Sequence, residues 1–184
     1  SIAAAEFSSK DIPLVISIDK TDNTEVIEVA KQFEWKTGPK KTIIHDEHLG
    51  LKKHFIKCGN LTEKYGAVIL FEDDLFASPY FYHYAQSALE HYENDEKVAG
   101  ISLYSYDVAE NGFYPFYPIN DGSDVYFLQI AASWGQAWTQ KQWTDFKKWF
   151  SQNQEIVNEE KLPRYVRDFT KTSWKKHFIN YMVE

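Results

Sequence analysis

Residues 67–85 read AVILFEDDLFASPYFYHYA, and the first five of them decide the fold class. A run of five apolar residues rich in β-branched side chains is too short for a buried helix and the right length for a buried strand. Gly66 stands just before it, where a preceding helix would end on a glycine cap. The run stops abruptly at Glu72-Asp73-Asp74. Beyond the acids, Ser78 and Pro79 open a helix over 79–94, Ser78 as N-cap and Pro79 at the first helical position. Strand, acidic turn and helix make one unit of an α/β domain.

Working outward, the same alternation recurs. Upstream, residues 1–7 read as the end of a helix and 13–18 (PLVISI) as a buried parallel strand. A loop follows over 19–23 (DKTDN). An amphipathic helix over 24–33 buries Val26, Ile27, Val29, Ala30 and Phe33. Residues 41–45 (KTIIH) give a second strand, and 49–65 a helix kinked at Gly59–Asn60. Downstream, a strand over 98–104 leads into an irregular stretch over 105–124, rich in Tyr, Asn, Gly and Pro. A strand over 125–132 and helices over 139–150 and 173–182 complete the chain, with Trp143, Phe146, Trp149 and Phe150 at helical spacing in the core. The expectation is a single α/β domain over 1–184 with a mostly parallel sheet and helices on both faces. Because the chain begins inside a helix and stops directly after one, it reads as a fragment cut at both ends.

Bulk properties narrow the function. A formal charge of -7 with no Lys/Arg-dense face excludes a nucleic-acid partner, since phosphate backbones reward a basic surface. It leaves a nucleotide ligand open, because a divalent cation neutralises a diphosphate locally. Cys58 is the only cysteine, which rules out an internal disulfide and fits a reducing, cytoplasmic compartment. No apolar run is long enough to span a bilayer, so any membrane contact would be peripheral, at the inner face. No phosphate-binding Gly-rich loop, Gly-x-Ser-x-Gly elbow or His-Glu-x-x-His pair occurs, which removes the common NTPase, hydrolase and zinc-protease chemistries.

The acidic triplet is the most informative feature. In open α/β sheets, ligands bind beyond the carboxyl ends of strands. Three acids there raise one another's pKa unless a cation arrives, and one or two carboxylates plus phosphate oxygens suit Mg²⁺ or Mn²⁺. The plain alternative is a solvated acidic turn facing the next helix N-terminus. Aromatic residues form a second feature: Tyr104, Tyr106, Phe113, Tyr114, Phe116 and Tyr117 precede Trp134 and Trp138. Their rings either line a sugar-binding wall or bury one another under a folded loop.

The segment 67–85 resembles the acidic-motif region of GT-A glycosyltransferases, most closely the N-acetylglucosaminyltransferase I family and its bacterial relatives. The similarity extends to 12–19 (IPLVISID), to 100–104 and to 132–138 (ASWGQAW). The resemblance implies a GT-A-like, Rossmann-like three-layer sandwich that transfers sugar from a nucleotide-sugar donor, a UDP-sugar, to a glycan acceptor with inversion, aided by Mn²⁺ or Mg²⁺. It implies that Asp74 ligates the metal and that Glu72 and Asp73 orient the ribose and sugar-phosphate. Asp19 would bind the nucleotide end, His45 the base, Lys52 and Lys53 the diphosphate, and Trp134 and Gly135 would lie under the donor sugar. The family's catalytic carboxylate has no counterpart, since Ser173-Trp174-Lys175-Lys176-His177 stands in its place. Asp168 and Glu184 are the nearby acids left for that role. A nucleotidyltransferase acting on a sugar phosphate and a non-catalytic carbohydrate-binding module are the rival readings. Release of pyrophosphate marks the first, and metal-dependent binding of a nucleoside diphosphate counts against the second.

Overall fold

The apolar run at 67–71 does form a strand, but its neighbour is antiparallel. The computed structural model describes residues 1–108, 114–155 and 159–184. It holds two small sheets. In the first, β1 (Leu14–Ile18) and β2 (Lys40–Ile44) pair in parallel, from Leu14 against Lys40 to Ile18 against Ile44. The helix between them, α1 (Thr24–Gln32), starts on Asn23, whose side chain accepts the N–H groups of Glu25 and Val26. At its other end the Lys40 ammonium donates to the carbonyls of Ala30, Lys31 and Phe33, satisfying acceptors that a helix C-terminus leaves open.

The second sheet has the order β3 (Ala67–Leu70), β5 (Gln136–Thr139), β4 (Ile101–Ser102), with β5 antiparallel to both neighbours. Its alternate residues serve two cores. Val68, Leu70 and Trp138 face one that contains Phe55 from α2 (Gly50–Gly59), Trp143 and Phe146 from α5 (Gln140–Gln152), and Phe178 from α7 (Trp174–Val183). Ala67, Ile69 and Ala137 face the other, built on Ala85 and Leu89 of α4 (Phe81–His91). This period-two alternation is what a sheet covered on both faces requires. The larger core is aromatic: Phe55 stacks on Trp174 at 3.6 Å, and Trp138, Trp143 and Phe178 meet edge to face.

Several expectations change. The architecture is mixed α/β, with a parallel pair and an antiparallel trio in place of one mostly parallel sheet. Residues 125–132 carry no strand, and the strand instead lies at β5. There, pairing with β3 buries Ala137 and Trp138 on opposite faces, and tertiary pairing outweighs local propensity. The expected strand over 98–104 is only two residues long. Residues 2–4 form a single 3₁₀ turn, not a helix end. Helix α4 begins at Phe81, and Ser78 accepts the Tyr80 N–H in a turn ahead of it. The break at Gly59–Asn60 is present, dividing α2 from the short α3 (Thr62–Tyr65). On α1 only Ala30 is buried, while Val29 is 69% exposed. The remaining helix, α6 (Arg164–Arg167), leads toward α7. No helix among the described residues is long and apolar enough to cross a membrane.

Candidate functional site

Pairing of β3 with β5 sets the geometry of one sheet end. Leu70 lies opposite Gln136, so Phe71-Glu72 emerges beside Trp134-Gly135. Gly135 has φ +94°, and a Cβ there would sit 2.8 Å from the Phe71 ring. Any other residue would be strained and would push Phe71 and the following acids aside. Trp134, 44% exposed, packs edge-on against Tyr104 at 4.7 Å. Glu72 is half-buried, while Asp73 and Asp74 lie exposed in the turn. The Glu72 carboxyl is pushed up, first by burial and then by the charge of Asp74, with Lys175 of α7 pulling it back. Lys175 therefore marks where α7 approaches the triplet.

A second group assembles at the ends of β1 and β2. Asp19 follows β1, and its carboxylate accepts the backbone N–H groups of Leu49 and Gly50 at the start of α2, at 2.8 and 3.0 Å. The Leu49 N–H is the main reason its pKa falls from 3.8 to about 2, because these donors favour the charged form. His48 adds an ion pair at 3.1 Å. His45, directly after β2, meets Ser17 of β1.

Beside the α2 start lies a cavity of about 680 Å³, lined by Lys52 and Lys53 of α2, Asp168, Phe169, Ser173 and Lys175 among others. Lys52 reaches His177 of α7 at 3.4 Å. His177 is buried, and its pKa is lowered first by that burial and then by Lys52. Its Nε2 faces both the Lys52 ammonium and the Lys171 carbonyl, which need opposite protonation at one nitrogen.

Of the residues singled out in the sequence, Asp19 and Lys52 both lie at the start of α2, Asp19 accepting from its first N–H groups and Lys52 reaching His177. Glu72, Asp73, Asp74, Trp134 and Gly135 share the β3–β5 end, with Lys175 between the groups. Asp168 lines the cavity. Glu184 sits at the opposite end of α7, about 15 Å along a ten-residue helix, with its carboxylate accepting from Trp149 Nε1 and Asn180. Trp138 belongs to the core, and Tyr106 is buried, whereas Tyr114 and Tyr117 are exposed. Phe113 lies outside the described residues. Sequence reasoning passed over Ser17, His54 and the placement of Lys175. Its one clue was the Lys-Lys pair standing where an acid was sought.

Among the described residues, no three His, Cys, Asp or Glu side chains are arranged to cage a metal ion. The triplet itself presents two exposed carboxylates, Asp73 and Asp74, beside the half-buried Glu72. Comparison of the chain with protein-family models, with curated proteins and with solved structures finds no match.

Proposed function

We propose that the chain is the donor-binding core of a glycosyltransferase that moves a sugar from a nucleotide-sugar, a UDP-sugar, to a carbohydrate acceptor with inversion. The observation that carries this reading is the acidic turn at the carboxyl end of β3, whose Glu72 feels the charge of Lys175, a residue that also lines a cavity with Lys52 and Lys53. The triplet and the lysines divide the work of holding a diphosphate. Mn²⁺ or Mg²⁺ fits a site with one protein carboxylate, because such ions keep several positions for phosphate oxygens and water. Asp74 would hold the ion, which when bound supplies charge stabilisation for the departing diphosphate.

In this arrangement Glu72 and Asp73 orient the ribose and sugar-phosphate, Asp19 anchors the α2 start at the nucleotide end, and Trp134 and Gly135 form the floor under the donor sugar. Lys52 and Lys175 add positive charge where negative charge accumulates on the leaving group. Asp168, exposed on the cavity rim, is the carboxylate available to take a proton from the acceptor hydroxyl. We take the two sheets, with helices on both faces of the β3–β5–β4 trio, as parts of a GT-A-like sandwich. The cytoplasmic side of a membrane, with peripheral attachment, is the location consistent with this chemistry.

The test is a panel of nucleotide sugars offered with Mn²⁺ and sugar acceptors, reading out released nucleoside diphosphate. Release from a UDP-sugar is expected. Pyrophosphate in its place would identify a nucleotidyltransferase, and no product from any donor would sink the catalytic reading.

A further inference from the structure

Ser17, on β1, is the meeting point of side chains from three elements. Its Oγ lies 2.8 Å from Nε2 of His54, on α2, and 3.2 Å from Nε2 of His45, after β2. The two imidazoles pack edge to face at 5.2 Å. The thiol of Cys58, one turn beyond His54, faces the same hydroxyl, and burial keeps it protonated by raising its pKa.

We propose that Ser17 and His54 are positioning residues that fix the tautomer of His45: Ser17 donates its proton to His54 Nε2, accepts one from His45 Nε2, and leaves His45 Nδ1 as a hydrogen-bond acceptor. A serine has one O–H and two acceptor lone pairs, so it donates to at most one of the two rings and accepts from the other when both bonds form. Bonds from O–H run shorter on average than bonds from N–H, which favours the 2.8 Å contact to His54 as the hydroxyl's donation and the 3.2 Å contact as His45 N–H donating to oxygen.

The surroundings keep His54 neutral, as the end of the relay requires. Burial lowers its pKa first, and the nearby His45 and Lys57 lower it further, against an opposing pull from Asp19. Among the described residues, His45 Nδ1 makes no hydrogen bond of its own. For the ligand this rests on the glycosyltransferase reading. A base whose N3 meets His45 Nδ1 would have to carry a proton there, as the uracil imide does, whereas cytosine N3 is bare and its donor is the N4 amino group beside it.

Long-range proton–nitrogen NMR of the wild-type protein at mildly alkaline pH tests the relay without any ligand. Expected are His54 protonated on Nδ1, the rarer tautomer of a free histidine side chain, and His45 protonated on Nε2. His54 carrying its proton on Nε2 overturns the proposal. Ser17→Ala is expected to return His54 to the Nε2–H form, while Ser17→Thr, which keeps the hydroxyl, is expected to preserve the wild-type pattern. Titration with UDP and CDP then tests the consequence. Wild type is expected to favour UDP by about tenfold or more, and Ser17→Ala to lose roughly threefold or more of that preference. His54→Gln, whose amide oxygen can accept from Ser17, is expected to keep it. Equal affinity for UDP and CDP in the wild type overturns the specificity claim. The predicted tautomers with neither nucleotide bound leave the relay standing and overturn the donor-site reading.

Discussion

Asp19 carries the strongest resolved electrostatic signature in the molecule and does so at a loop junction, joining the end of β1 to the first turn of α2. Its folded-state pKa of about 2 lies below the ordinary 3.8. The carboxylate therefore contributes stability that is fully present above the unfolded value and is lost as pH falls through the folded one. Comparing thermal unfolding of wild type and Asp19→Asn should show wild type ahead at pH 5 and above, with the gap closing between about pH 4 and pH 2. A gap that stays constant across that window would mean that geometry, not charge, gives Asp19 its role. Beyond the carboxyl end of β3, Asp74→Ala should leave the fold intact, because the side chain is exposed in a turn. Losing even an outer-shell partner of a metal ligand costs about 10–100-fold in metal affinity. Removing the ligand itself should therefore weaken Mn²⁺-dependent UDP binding by on the order of 100-fold or more. Calorimetry that finds unchanged affinity would remove the metal from Asp74. Both acids stand out in the sequence, Asp19 directly after an apolar run and Asp74 as the last of three acids that follow one. Ser17 and His54 do not, since 37 residues separate them and only the packing of α2 over β1 brings them together.

At the level of elements, α2 and α5 are locked by a single missing side chain. A Cβ on Gly59 would fall 2.1 Å from the Trp143 ring, and that ring is pinned by its Nε1 donating to Asn60. Gly59→Ala should destabilise the protein by about 1–3 kcal/mol or more through overpacking, measured by chemical denaturation. Helix α5 starts from a reciprocal cap in which Thr139 accepts the Gln142 N–H and the Gln142 side chain accepts the Thr139 N–H. Thr139→Ala should cost about 1 kcal/mol in the same assay. Helix α5 was legible from its aromatic spacing, and β1, β2 and β3 from short apolar runs. Strand β5 was not. Its sequence, QAWT, contains a glutamine that ends up buried, and nothing local distinguishes it from the more strand-like 125–132. The choice is made by the empty side of β3, which no window of residues around β5 reveals. The stripe on α1 failed for a related reason: periodicity shows that an apolar face exists, not how much of it a neighbour covers.

For the whole molecule, the order of strands in the antiparallel sheet has a kinetic consequence. The central strand, β5, is the last of the three to be made, and β3 and β4 each pair with it and not with each other. Ile69 and Ile101 meet the same residue, Ala137. Until the chain reaches that point, two apolar strands wait with open edges, and both gain their ladder only by closing loops of several dozen residues. Such non-local closure is slow, and it cannot proceed one strand at a time from the N-terminus. In pulse-labelling hydrogen exchange, the β3 and β4 amides bonded to β5 should gain protection in one shared phase, together with those of β5. Protection of β3 well ahead of β5 would mean that a different pairing forms first. During synthesis the same arrangement leaves the first 135 residues unable to complete this sheet, so a nascent chain stalled before Gln136 should bind a hydrophobic-surface dye that the finished chain excludes.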